Sequence, residues 1–178
     1  MNKMIKRFLV VVIAIVFVLT GLQVFAQHKY SDATMKKIDE FKILSRDKRD
    51  MPETMEGVKK ITGDELKKML DEGKKFVLLD NRIPADYEKE HIPGALRLSP
   101  DDLLEKGPKA AEAIGLKKDD IIVNYCNGIK CWRSPGAAVL LQDIGYKNLY
   151  WYREGIPDWI KKGYDTVEGK EAGTWKKK

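Results

Sequence analysis

Cysteine and histidine are scarce in this chain, with two of each among 178 residues. Cys126 and Cys131 cannot staple a disulfide-dense miniature scaffold or fill a four-cysteine zinc site, so at most they close one bridge. Proline and glycine are modest, at 7 and 14 residues, and apolar residues make up 43%. Collagen-like, low-complexity and wholly disordered classes are thereby excluded. A strong field of one sign is also missing. The formal charge is +6, but setting aside Lys3, Lys6 and Arg7 leaves 30 basic against 27 acidic residues, with Lys176, Lys177 and Lys178 holding the surplus. No basic stripe with interleaved aromatics is present, which argues against a nucleic-acid partner. One globular domain with tails fits the length.

Residues 1–26 open with Lys3, Lys6 and Arg7, run apolar from Phe8 to Leu19, and close on Val24-Phe25-Ala26. This is the pattern of a cleavable signal peptide, and it places the rest of the chain outside the cytoplasm, periplasmic or secreted. The alternative is an uncleaved anchor, since Phe8 to Ala26 approaches the length that spans a bilayer, although Thr20, Gly21 and Gln23 polarise its second half. A membrane link is expected only through this segment. Residues 27–57 are polar and lysine-rich. They read as an extension or linker in which Met35, Ile38, Phe41 and Leu44 permit one short amphipathic helix.

An alternating pattern follows. Thr62-Gly63-Asp64-Glu65 is a capping-box signature, with Leu66, Met69 and Leu70 on one face of the helix it starts and Gly73 ending it. Phe76-Val77-Leu78-Leu79-Asp80 is an apolar run of the kind that forms a strand covered on both faces. A short helix from Pro84 to Lys89, a turn at His91-Ile92-Pro93-Gly94-Ala95 and Leu96-Arg97-Leu98 come next. Helical content over 101–114 is interrupted by Gly107-Pro108. Ile121 to Tyr125 forms a second buried strand, Pro135 to Ile144 a helix, and Leu149-Tyr150-Trp151 a third strand. Strands alternating with helices predict an α/β domain with a mainly parallel sheet, flanked by helices on both faces. In such sheets, sites form beyond the carboxyl ends of the strands.

Cys126 stands at that end of the second buried strand. The connection Cys126-Asn127-Gly128-Ile129-Lys130-Cys131-Trp132-Arg133 leads into a helix for which Ser134 is placed as N-cap and Pro135 as first helical residue. Gly128 permits a tight turn, backbone amides at the helix start can face the loop mouth, and Lys130 and Arg133 add positive charge. A cradle of this kind stabilises anions, so Cys126 is expected to be substantially thiolate near neutral pH and able to attack electrophilic sulfur. The plainer reading is a small buried cysteine ending a strand.

Three segments together resemble the single-domain rhodanese, or sulfurtransferase, family over residues 58–168, with 169–178 left as a basic tail. The first is Leu79-Asp80-Asn81-Arg82 with Ala85-Asp86-Tyr87 and the His91-Ile92-Pro93-Gly94-Ala95 turn. The Cys126 loop is the second, and Gly155-Ile156-Pro157-Asp158-Trp159 is the third. The resemblance implies a rhodanese-like fold and a persulfide on Cys126. That persulfide would take sulfane sulfur from a small anionic donor such as thiosulfate and pass it to cyanide or a thiol, with no metal or organic cofactor. It implies a substrate-facing wall from Asn127 to Arg133, with Asp80, Arg82 and Ser134 in support.

Two departures from the family pattern matter. The position five residues after Cys126, commonly an arginine, is here Cys131, and Arg133 follows two residues later, so the Cys-x4-Cys-Trp-Arg loop is expected to be extended. Cys131 could also resolve the persulfide or bridge to Cys126. This leaves open a thiol–disulfide module with a protein thiol partner, although the spacing is not the Cys-x-x-Cys of thioredoxin-like motifs. A non-catalytic binding module is the third reading. His91 reads as a turn histidine; a Ser-His-Asp hydrolase lacks a nucleophile-elbow sequence, and Cys126, Cys131 and His91 make a weak metal set.

Overall fold

The computed structural model describes residues 28–177, so the expected signal segment lies outside the described residues. Five strands form one parallel sheet. They are β1 (Val58–Ile61), β2 (Val77–Asp80), β3 (Leu96–Arg97), β4 (Ile122–Tyr125) and β5 (Leu149–Tyr152), in spatial order β1-β5-β4-β2-β3. The three central strands are short and apolar because both of their faces are covered. Along β4, Ile122 joins one core and Val123 and Tyr125 the other; along β5, Leu149 and Trp151 alternate with Tyr150 and Tyr152 in the same way. β1, an edge strand, exposes Lys59 and Lys60 and buries only its end residues.

Seven helices connect and cover the sheet among the described residues: α1 (Asp32–Arg46), α2 (Gly63–Asp71), α3 (Pro84–Lys89), α4 (Pro100–Lys106), α5 (Pro108–Ala113), α6 (Arg133–Asp143) and α7 (Gly155–Lys161). Side chains of α1, α4, α5 and α6 build one core, and those of α2 and α7 the other. The capping box of α2 is complete, with Thr62 and Glu65 bonding each other's backbone amides. Gly107 ends α4 and Pro108 starts α5, as the interruption in the sequence predicts. The architecture is the α/β class expected, a parallel sheet flanked on both faces.

Residues 28–57 are not a spacer. α1 runs for 15 residues, buries Ile38 and Phe41, and packs along α6, while Asp143 accepts hydrogen bonds from Ser31 and Thr34 at its start. Met51 is 1% exposed, and Arg153 donates to the carbonyls of Met51 and Pro52. The spacing of Met35, Ile38, Phe41 and Leu44 marks the apolar face; what it docks against lies about a hundred residues away in the chain. The C-terminal stretch is also attached. His91 and Val167 exchange backbone hydrogen bonds, Gly94 N–H donates to Ala172, and the Trp175 indole donates to Asp71 and packs against Trp159.

Because Ile38 is fully buried between α1 and α6, Ile38→Ala is expected to lower unfolding free energy by about 2–5 kcal/mol. Urea denaturation followed by circular dichroism measures this. A loss below about 0.5 kcal/mol, the size of an ordinary surface substitution, would show that α1 contributes little to the folded state.

Candidate active site

All five strands point the same way, so Asp80, Tyr125 and Tyr152 lie level at one edge of the sheet. The chain leaves β4 at that edge and enters the loop beginning with Cys126. Its backbone is held at three places: Cys131 N–H donates to Gly128 O at 2.9 Å, Met51 N–H to Ile129 O at 2.7 Å, and Ile156 N–H to Cys126 O at 3.0 Å. Gly128 adopts φ 97°, in the left-handed region. At Gly155, φ is 63°, and a Cβ there would stand 2.1 Å from Cys126 O. A side chain at 155 is incompatible with this loop.

α6 begins two residues earlier than the sequence suggests. Arg133 is its first residue, Trp132 is the N-cap without a side-chain hydrogen bond, and Gly136 N–H closes the turn onto Trp132 O at 2.8 Å. Ser134 is therefore not the N-cap. Its hydroxyl turns inward, accepts from Trp151 Nε1 at 2.9 Å and lies 2.9 Å from Cys126 Sγ. The hydroxyl thus links the indole of β5 to the sulfur, and it can donate to Cys126 Sγ when that sulfur is ionised. Ser134 N–H adds a second donor at 3.4 Å.

The two sulfurs are unbonded and in contrasting settings. Cys126 is 0% exposed, whereas Cys131 is partly exposed. Burial pushes the Cys126 thiol well above its ordinary value, and the neighbouring Cys131 pushes it the same way, against the two Ser134 hydrogen bonds. Cys131 goes the other way, to about 7. The Cys126 side chain beside it, the Arg133 and Asn127 amides and the Arg133 charge favour its ionised form against its own partial burial. Burial thus runs against the expectation of an ionised, reachable Cys126, and the directions of the two shifts favour ionisation at Cys131. The Arg133 amide at the helix start and the Asn127 amide in the loop favour Cys131, while the next helix amide, Ser134 N–H, is turned to the strand-end sulfur.

The remaining expected residues take varied places. Asn127 is exposed and donates to Asp86 at 2.8 Å, and Lys130 is exposed. Arg133 is paired with Asp101 and lies 5.4 Å from the Trp132 ring, so its charge is shared before any anion arrives. Trp132 also carries Lys42 of α1 over its ring at 5.0 Å. Asp80 and Arg82 form a buried ion pair at 2.6 Å, with Arg82 bound to Glu90 O and set 5.9 Å from the Tyr125 ring. They stabilise the neighbouring turn and do not touch the cysteines. His91 is bonded through Nδ1 to Tyr87 O and through Nε2 to Glu171 O, a structural histidine. Among the described residues no three metal-ligating side chains gather.

Sequence reasoning did not single out Met51, Asp101 or Glu154, and it saw Gly155 only as part of a signature. Glu154 borders an open cleft of about 390 Å³ against the outer wall of the loop, with Asn127, Gly128, Ile129, Lys130 and Lys161. Its Oε2 is buried there without a hydrogen-bond partner. No periodicity or spacing marks these positions, because each acts through a long-range contact.

Ser134→Ala removes a donor to Cys126 and leaves the buried Trp151 N–H unpaired, which is expected to cost about 1–3 kcal/mol. Denaturant unfolding of the variant checks this, and an unchanged midpoint would remove the Trp151–Ser134–Cys126 chain from the account.

Residues 62–162 match the family model described as the rhodanese-like domain. The chain is 34% identical over 103 residues to a probable adenylyltransferase/sulfurtransferase, MoeZ, of Mycobacterium tuberculosis, an alignment covering 57% of this chain and 24% of that protein. The chain thus spans about a quarter of this relative's length. Among solved structures it is similar to the rhodanese-like domain of Alr3790 from Anabaena, at 26% identity and TM-score 0.54, covering 65% of this chain and 82% of that one. It shares its fold with a polysulfide-sulfur transferase homodimer from Wolinella succinogenes, at 21% identity and TM-score 0.51, covering 77% and 89%. A matched region running from the cap of α2 through α7 shows that this chain belongs to the rhodanese-like domain family.

Proposed function

We propose that this protein is a sulfurtransferase. It moves sulfane sulfur from a small anionic donor such as thiosulfate to cyanide or a thiol, including a protein thiol, through a persulfide on the Cys126–Cys131 loop. One observation carries the reading: a partly exposed cysteine, Cys131, and a buried one, Cys126, meet in the loop between β4 and α6, and the Asn127 and Arg133 amides and the Arg133 charge favour the ionised form of Cys131. A thiolate so placed is a nucleophile toward sulfur. Attack on the outer sulfur of thiosulfate forms the Cys131 S–S bond, breaks the donor's S–S bond and releases sulfite, and the negative persulfide keeps the amides as donors. Cyanide or a thiolate then takes the outer sulfur and restores the Cys131 thiolate. The name of the mycobacterial relative, a probable sulfurtransferase at 34% identity, supports the same chemistry.

The signal-like segment at 1–26 supports a periplasmic or secreted location, or attachment through that segment if it is uncleaved. The closeness of the two cysteines, with Cys126 Sγ 3.5 Å from Cys131 O, also favours a second reading, thiol–disulfide exchange without sulfur uptake. The two separate on whether sulfur is added to the reduced protein.

Single-turnover sulfite release from thiosulfate is expected to rise about tenfold per pH unit below the Cys131 value and to level off above it, since the thiolate is the reacting form. Half-maximal rate near about pH 7 corresponds to the lowered Cys131 thiol. Cys131→Ser should fall to background. Full activity in that variant, with loss only in Cys126→Ser, would place sulfur entry on the buried thiol. Absence of both sulfite and added mass in the wild type would end the sulfur-transfer reading.

A further inference from the structure

The two sulfurs differ in what they can meet. Cys131 is partly exposed and faces arriving donors, whereas Cys126 has no exposed surface and can reach no external molecule. The group that Cys126 does face is Cys131, whose carbonyl lies 3.5 Å from the Cys126 Sγ and whose side chain is near enough for each thiol to shift the other's ionisation. A sulfur atom added to Cys131 leaves the Cys131 Sγ as the inner atom of a persulfide, an electrophilic sulfur beside a thiol that has no other partner for reaction. Ser134 N–H donates to Cys126 Sγ at 3.4 Å and its hydroxyl lies 2.9 Å away, able to donate where charge develops as that thiol attacks. The Gly128–Cys131 turn, the Met51 strap and the Gly155 contact hold both ends of the loop while this happens.

Resting on the sulfur-transfer reading, we propose that Cys126 resolves the persulfide formed on Cys131, so that the site also reduces sulfane sulfur to sulfide and closes a Cys126–Cys131 disulfide. The Cys126 Sγ bonds to the Cys131 Sγ, the S–S bond inside the persulfide breaks, and the Cys126 proton leaves with the outer sulfur as hydrosulfide. The outer sulfur gains two electrons, and the two cysteines lose two on forming the disulfide. A further cycle needs an external dithiol, which opens the disulfide by exchange and is itself oxidised. External acceptors compete for the outer sulfur. The two outcomes are therefore sulfur transfer when an acceptor is bound and sulfide release when it is not.

The test uses the full chain, reduced and freed of reductant under anaerobic conditions, with thiosulfate in one arm and inorganic polysulfide in another. In the thiosulfate arm the wild type should release one sulfide per chain. In both arms it should lose the mass of two hydrogens, with Cys126 linked to Cys131 in the non-reduced peptide map. Added dithiothreitol should turn the burst into continuous sulfide production. Cys126→Ser should retain one added sulfur on Cys131 and release none. If the wild type instead holds the added sulfur with no disulfide and no sulfide, Cys126 is not a resolving thiol, while the transferase reading stands. Sulfide release from Cys126→Ser at the wild-type rate overturns the proposal as well. If no form takes up or releases sulfur in either arm, both readings fail. Should Cys126→Ser not fold, the wild-type mass, sulfide yield and peptide map decide alone.

Discussion

The chemistry of this molecule depends on a close approach between two pieces of backbone. Gly155, at the start of α7, lies so near the first residue of the active loop that a Cβ would fall 2.1 Å from Cys126 O, and the next amide, Ile156 N–H, donates to that same oxygen. The contact joins the ends of β4 and β5, which are already paired in the sheet. It fixes where Cys126 leaves the strand. From there the Gly128 turn brings the Cys131 carbonyl to 3.5 Å from Cys126 Sγ, and α6 starts with the Arg133 amide serving Cys131 and the Ser134 amide serving Cys126.

That geometry divides two identical functional groups into unlike roles. Desolvation dominates at Cys126, and hydrogen bonding to the charged form dominates at Cys131. A positively charged loop at a helix start predicts an ionised thiol. The placement of amides about that loop determines which thiol it is. Arg133 adds less than its formal charge suggests, because Asp101 is already paired with it.

Much of the frame is legible in the sequence, for local reasons. The apolar runs of β2 and β4, the Thr62–Glu65 capping box and the Gly107-Pro108 break are encoded within a few residues each. β1 is harder to see, since Val58-Lys59-Lys60-Ile61 has two exposed lysines on an edge. The Cys126 loop and the glycine-to-tryptophan signature could be found as motifs. The inward turn of Ser134 on α6 could not, because it depends on Trp151, which lies on β5. The extension before residue 58 displays its apolar face plainly, yet the groove that receives it is made by α6, nearly a hundred residues further on. Local pattern shows that a face exists, and only the assembled core shows what it covers.

The attachment of that extension has a thermal consequence. Met51 holds Ile129, Arg153 holds Met51 and Pro52, and Lys42 of α1 lies over Trp132, so the amino-terminal helix and the reactive loop form one cooperative unit. Detachment of this segment would remove the Met51 hold on Ile129 and leave the Gly128 and Ile156 bonds, so the loop would slacken while the sheet stays intact. On warming, the protein can therefore lose its chemical competence at a lower temperature than its secondary structure.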